Sequence, residues 1–176
     1  MPFTADKDLK LAFTPNLIPA KVHSALPEDL HLRPLAQDDY SRGHLDVLRV
    51  LTSAPDVGSS AWSERFDLMA SHPDHYYPIV IVSKSTDRVV ALGTLFVEFK
   101  FLRGNAKAGH IEDIAVSKEA QGKGLGKRVI EALTGVSEGL GCYKTFLDCS
   151  EENKGFYERC GYEFKGVQMS KYAPSS

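Results

Sequence analysis

The stretch GHIEDIAVSKEAQGKGLG, residues 109–126, constrains this chain more than any other. Its first half reads as a strand and carries two adjacent acids, Glu112 and Asp113. Its second half lacks Cβ atoms at alternate positions: Gln121-Gly122-Lys123-Gly124-Leu125-Gly126-Lys127. Beyond it Val129, Ile130, Leu133, Val136 and Leu140 recur at helical spacing, which predicts a helix over about 123–139. A strand that passes through a glycine turn into a helix lets backbone N–H groups converge on one anion at the positive helix end. Lys123, Lys127 and Arg128 add charge. A glycine-rich turn with a solvated basic first helical turn is the plain alternative.

Two well-known glycine motifs are excluded by spacing. A Walker loop needs Gly-x4-Gly-Lys-Ser/Thr, but Gln121 stands five before Gly126 and Arg128 occupies the Ser/Thr position. A Rossmann fingerprint needs Gly-x-Gly-x-x-Gly, and from Gly122 or Gly124 the last glycine is missing.

The rest of the chain fits a sheet flanked by helices. Residues 1–28 are dotted with proline and read as an N-terminal extension lying on the surface, with Leu11, Phe13, Leu17 and Ile18 packed against it. Residues 29–173 read as one domain. HLRPL (31–35) is a short first strand. Asp38 is placed to cap a helix running to about Leu51, and Ser59 or Ser60 a second one with Trp62, Phe66 and Met69 on one face. YPIVIVSK (77–84) and VVALGTLFVEFKF (89–101) read as a hairpin, with Gly93 as a bulge site. HIEDIAVS (110–117) and CYKTFLDCS (142–150) are further strands. ENKGFYERC is a short helix closed by Gly161, and YEFKG with VQMSKY reads as a closing hairpin. This order favours one mixed sheet with helices on its faces, an α/β (α+β) class.

Composition narrows the partners. With 176 residues, one sizeable core is the expectation. The 21 basic and 23 acidic residues leave a net charge of −2, so nothing points to nucleic acid or an anionic membrane, and an anionic ligand must be held by a local cluster. The three cysteines, Cys142, Cys149 and Cys160, form no Cys-x-x-Cys pair and read as small buried apolar residues. His72 and His75 have no third ligand nearby and read as surface histidines. No secretory leader or long apolar span is visible, so the cytoplasm is the expected location.

Gln-x-x-Gly-x-Gly, opening a helix after a strand, resembles the acetyl-coenzyme A loop of the GCN5-related N-acetyltransferases (GNAT). The strings GHIEDIAV, QGKGLGK, GCYKTFLDCSEEN and GFYERCGYEF look like the branch acting on glucosamine 6-phosphate. The likeness is strong over about 95–170 and extends weakly to LDVLRVLT (45–52). It implies a mostly antiparallel mixed sheet with about four helices. It also implies acetyl-CoA as co-substrate, direct attack by the sugar amine, no metal, and a homodimer joined through the C-terminal strands. The acetylated product would feed UDP-N-acetylglucosamine synthesis. An acetyltransferase for another amine and a coenzyme-binding protein without catalysis are the competing readings.

By that resemblance, Ile114, Ala115 and Val116 line the pantetheine arm, with the Ile114 N–H polarising the thioester carbonyl. Gln121, Gly122, Lys123, Gly124, Leu125, Gly126 and Lys127 hold the pyrophosphate. Glu112 or Asp113 binds the sugar amine or hydroxyls or accepts the amine's proton, and Asp148 orients the amine. Tyr157 meets the coenzyme sulfur as acid or thiolate stabiliser, and Asn153 touches the pantetheine. The sugar and its phosphate fall to Thr52, Lys100, Phe101, Leu102, Arg103, Tyr143 and Lys144, together with Ile114. Here the chain departs from the branch pattern: Phe99 stands where a basic residue is common, and Arg103 where a histidine is usual. Arginine can hold phosphate bidentately, so the role survives the exchange. On the residues alone, Glu112 and Asp113 read better as one solvent-facing and one buried carboxylate, and Asp148 also as the N-cap of the next helix.

Overall fold

The computed structural model describes residues 3–173. Its elements run α1 (Ala20–Ser24), β1 (Leu30–Pro34), α2 (His44–Leu51), α3 (Gly58–Ala70), β2 (Tyr76–Ser83), β3 (Arg88–Phe99), α4 (Leu102–Asn105), β4 (Lys107–Val116), α5 (Leu125–Gly139), β5 (Cys142–Leu147) and α6 (Glu151–Arg159). The five strands form one sheet in sequence order. Neighbours are antiparallel except β4 and β5, which are parallel and joined by α5 as the crossover. The expected mixed, mostly antiparallel sheet is therefore present. Of six helices, α2, α3, α5 and α6 have eight residues or more.

Both faces of the sheet are covered. On β2, Ile79 and Ile81 pack in the layer of Leu125, Val129 and Leu133 from α5, while Val80 and Val82 pack with Val47 of α2 and with Trp62 and Phe66 of α3. A strand buried on both sides is apolar at every position, which is why YPIVIV shows no alternation. Each such side chain contributes about 1.5–3 kcal/mol by leaving water.

The N-terminal segment is held by more than surface contact. Ile18 and Val22 join the α5 layer, Leu11 bridges Ala36, and the Thr4 N–H and hydroxyl both donate to Asp87. Asp87 in turn pairs with Arg42 at 3.0 Å.

Three local expectations need correction. Asp38 does not cap α2: it pairs with Arg42 at 2.6 Å, buried Asp39 takes both terminal nitrogens of Arg33 at 2.7 Å, and the helix starts later behind left-handed Gly43. The acids are drawn into ion pairs, so the turn is shaped by them instead of by a cap. Neither Ser59 nor Ser60 caps α3, which begins at Gly58 behind Val57 with no side-chain cap bond. No closing hairpin forms among residues 162–173. This segment carries no strand, and Phe164, Val167, Met169 and Tyr172 are exposed. Its alternation is real, but a strand needs a pairing edge, and none in this chain takes it.

Candidate active site

The site is made by a mismatch in strand length. β5 pairs with β4 from Lys107↔Cys142 to Ile111↔Leu147 and then stops, while β4 runs on to Val116. Past Ile111, β4 is paired on one side only, so the backbone of Glu112–Val116 has an open edge facing the gap left by β5.

A bulge sits at the point of divergence. Leu92 pairs with Ala115 and Thr94 with Glu112, so the single residue Gly93 faces two, Asp113 and Ile114. The extra residue is therefore in β4, opposite the glycine where the sequence placed the irregularity. Asp113 takes a left-handed φ of 55°. The bulge changes parity: Ile111 and Ile114 both reach the α5 layer, which residues three apart on a regular strand cannot do. Gly93 is required because a Cβ there would lie 2.5 Å from Ile114 Cδ1 and 2.7 Å from Val129 Cγ1. Glu112 and Asp113 are both exposed. The plain alternative needs one of them buried, and neither is.

The face opposite α5 carries the polar groups. His110 and Glu112 on β4 share it by two-residue spacing, as do Lys144, Phe146 and Asp148 on and just beyond β5. His110 stacks on Phe146 with centroids 4.4 Å apart. Its Nε2 lies 3.2 Å from Glu112 Oε1 and 3.4 Å from Asp148 Oδ2. The Gln168 amide donates to the same Asp148 oxygen at 3.0 Å. Asp148 is not the cap of α6, because Ser150 stands at that position. His110 lies inside the GHIEDIAV motif, but the sequence alone gives it no partner. Its contact with Asp148 crosses two parallel strands, and the only local hint was its i, i+2 relation to Glu112.

Cations gather toward the start of β5. The Arg103 guanidinium lies 4.9 Å from the Tyr143 ring centroid, and Lys144 Nζ reaches 4.8 Å from that of Phe146. Arg103, Gly104 and Asn105 all hold positive φ, which turns the loop back toward β5. Phe101 and Leu102 are exposed. Lys100 instead pairs with Glu98, and Thr52 is an exposed C-cap of α2; neither makes a recorded contact with the acid cluster.

The glycine turn closes the far end. Gly122 and Gly124 adopt φ of 78° and 75°, with Gly124 as N-cap of α5. A side chain at either would be strained, and the free N–H groups of the first helical turn emerge there. The Gln121 amide donates to the Val116 carbonyl at 3.4 Å, tying the turn to the end of β4. Arg128 is drawn to Glu131 at 2.7 Å, with Lys127 at 3.8 Å from the same carboxyl group. Among the described residues Lys123 has no recorded ion pair, so it is the freest cation of the three. The donors and the open edge suit a bound pyrophosphate and an extended amide arm. A cavity of about 590 Å³ touches Lys123 and Leu125 but opens toward α2, and no residue of the acid cluster lines it. The polar groups identify the chemical centre better than cavity size does.

Tyr157 and Asn153 lie one turn apart on α6. Tyr157 and Phe156 are both half-buried against the core, with rings 5.0 Å apart. Burial, aided by the thiols of Cys149 and Cys160, raises the Tyr157 phenol above its usual value, so it stays protonated at neutral pH. Asn153 is exposed, its amide donating to Ser150. Cys149 is exposed, against the expectation of burial, because the chain leaves the sheet there. His72 and His75 are occupied by backbone carbonyls of Leu68 and Val97.

This geometry has known counterparts. The model described as the acetyltransferase (GNAT) family matches residues 36–162. Glucosamine 6-phosphate N-acetyltransferase 1 of Dictyostelium discoideum is 44% identical over 152 residues, 86% of this chain and 96% of that protein. Glucosamine 6-phosphate N-acetyltransferase of Candida albicans is 44% identical over 82% of this chain and 96% of its own. The crystal structure of glucosamine-6-phosphate N-acetyltransferase from Arabidopsis thaliana superposes with a TM-score of 0.80 at 41% identity, covering 82% of this chain and 99% of that one. Sequence and fold agree, and the chain belongs to the acetyltransferase (GNAT) family, within it to the glucosamine 6-phosphate N-acetyltransferases.

Proposed function

We propose that this chain transfers the acetyl group of acetyl-CoA to the amine of glucosamine 6-phosphate by direct attack with both substrates bound. One observation carries the reading: along one face of β5, acids stand at the end where the open edge of β4 begins and cations at the other, toward the start of β5. Lys144 and Asp148 are four residues apart, about 13 Å along an extended chain. An amino sugar bearing a phosphate has matching charges at its two ends. Relatives named for this reaction, similar over nearly their whole length, support the same acceptor.

Acetyl-CoA supplies the activated thioester. The residues of the chain do the rest. N–H groups of the glycine turn, with Lys123, hold the pyrophosphate, and the open edge of Ile114–Val116 binds the amide arm. The Ile114 N–H donates to the thioester carbonyl oxygen as it gains charge. Asp148 and Glu112 orient the amine and take the proton that it must lose before attack. Asp113 and Thr52 serve sugar hydroxyls. As the C–S bond breaks, Tyr157, kept protonated by burial, gives its proton or a hydrogen bond to the departing sulfur, and the second proton shed by the new amide nitrogen restores it or leaves to water. Arg103, Lys144 and Tyr143, with Lys100, hold the phosphate, while Phe101 and Leu102 cover it. No residue is assigned to a metal.

We also read the chain as a cytosolic homodimer that supplies N-acetylated sugar phosphate for nucleotide-sugar synthesis. The free edge of β5 and the exposed apolar side chains of 162–173 favour pairing with a second copy. Among the described residues no helix is long and apolar enough to cross a membrane.

Incubating the purified chain with acetyl-CoA and glucosamine 6-phosphate, then identifying the product by mass spectrometry, tests this directly. The expected product is the singly acetylated sugar phosphate with one equivalent of free thiol. Thiol release without acetylated sugar would reject the acceptor.

A further inference from the structure

Among the described residues, His110 is the polar side chain that reaches both Glu112 and Asp148, and it has no part in the proposed transfer. Its Nε2 lies between Glu112 Oε1 and Asp148 Oδ2, at 3.2 and 3.4 Å. The nitrogen is buried, yet neither oxygen sits where a well-aligned hydrogen bond forms. The ring cannot swing away freely, because it stacks on Phe146 at 4.4 Å and 19°. Lys144 Nζ also lies 4.8 Å from the centroid of the Phe146 ring.

Two carboxylates brought this near each other repel, and an N–H within reach of both is the simplest group that holds them on the same nitrogen. A buried donor placed between two acceptors, aligned with neither, can follow whichever oxygen the substrate leaves free. We propose that His110 is a positioning residue: through Nε2–H it aims Glu112 and Asp148 at the acceptor amine, and so sets the turnover rate without touching the coenzyme. The inference rests on the proposed sugar acetylation.

Three proteins test it: the wild type, His110→Phe and His110→Gln. Phenylalanine keeps the stack on Phe146 and removes the donor. Glutamine places an amide N–H at about the reach of Nε2. Thiol release is measured against both substrates, together with the thermal unfolding midpoint. The expected result is a fall in kcat of about 10- to 100-fold for His110→Phe, the worth of one hydrogen bond to a charged group. The KM for acetyl-CoA and the unfolding midpoint should stay unchanged, and His110→Gln should recover most of the loss. Full activity in His110→Phe would overturn the inference alone. So would equal losses in both variants with lowered midpoints, which would make the ring a packing element. A wild type that acetylates no sugar phosphate would overturn the proposed function, and this inference with it.

Discussion

The two halves of β4 are built differently from one continuous strand. From Lys107 to Ile111 it is hydrogen-bonded to β3 on one side and β5 on the other, and Ala108 and Ile111 are buried. From Glu112 to Val116 it keeps only β3, exposes two acids and contains a residue in the left-handed region. The first half is sheet paired on both sides, with one register shift against β5 between Lys107 and Ala108. The second gives up one set of pairings and presents backbone and carboxylates to a ligand. The fold thus makes its site by ending β5 early and inserting one residue at Asp113.

If that division is right, changes near the open half should cost chemistry and changes in the paired half should cost stability. The largest effect is expected at Asp148→Asn. The kcat/KM for glucosamine 6-phosphate should fall about 10²–10⁴-fold with the unfolding midpoint unchanged, as steady-state kinetics beside thermal denaturation would show. Tyr157→Phe should lower kcat by about 10²-fold and leave the KM for the sugar in place. Because burial raises the phenol, the wild-type rate should show no alkaline loss from this residue below about pH 10. A loss near pH 8 in the pH–rate profile would take the acid's role from it.

Glycine changes test the boundary between the halves. Gly93→Ala puts a Cβ against Ile114 and Val129, so it should destabilise by about 1–3 kcal/mol in urea unfolding and lower activity as well, since the bulge is displaced. Gly109→Ala presses on Ser137 in the paired half. It should cost stability of similar or smaller size and spare kcat. Should Gly109→Ala abolish turnover in folded protein, the two halves would not be separable.

Much of this was readable in the sequence. The buried run of β2 and the apolar stripe of α5 announced themselves, because covering both faces of a sheet, or one face of a helix, leaves a direct imprint on composition. The glycine turn was readable through its spacing alone, since only positive φ explains Gly122 and Gly124 together. The rest depended on partners distant in the chain. His110 acquires its place only when β5 lies parallel beside it. Residues 162–173 alternate like a hairpin, but pattern cannot say which edge receives them. Asp38 reads as a helix cap until Arg42 folds over it, and Asp39 gains its role only when Arg33 reaches it.

The most direct test compares glucosamine 6-phosphate with unphosphorylated glucosamine as acceptor, by kcat/KM from thiol release at saturating acetyl-CoA. If Arg103 and Lys144 read the phosphate while Asp148 and Glu112 read the amine, the phosphorylated sugar should be favoured by about 10- to 100-fold or more, one or two charge-assisted hydrogen bonds' worth. Equal values for the two sugars would contradict the acids and cations along this face of β5 as the acceptor site.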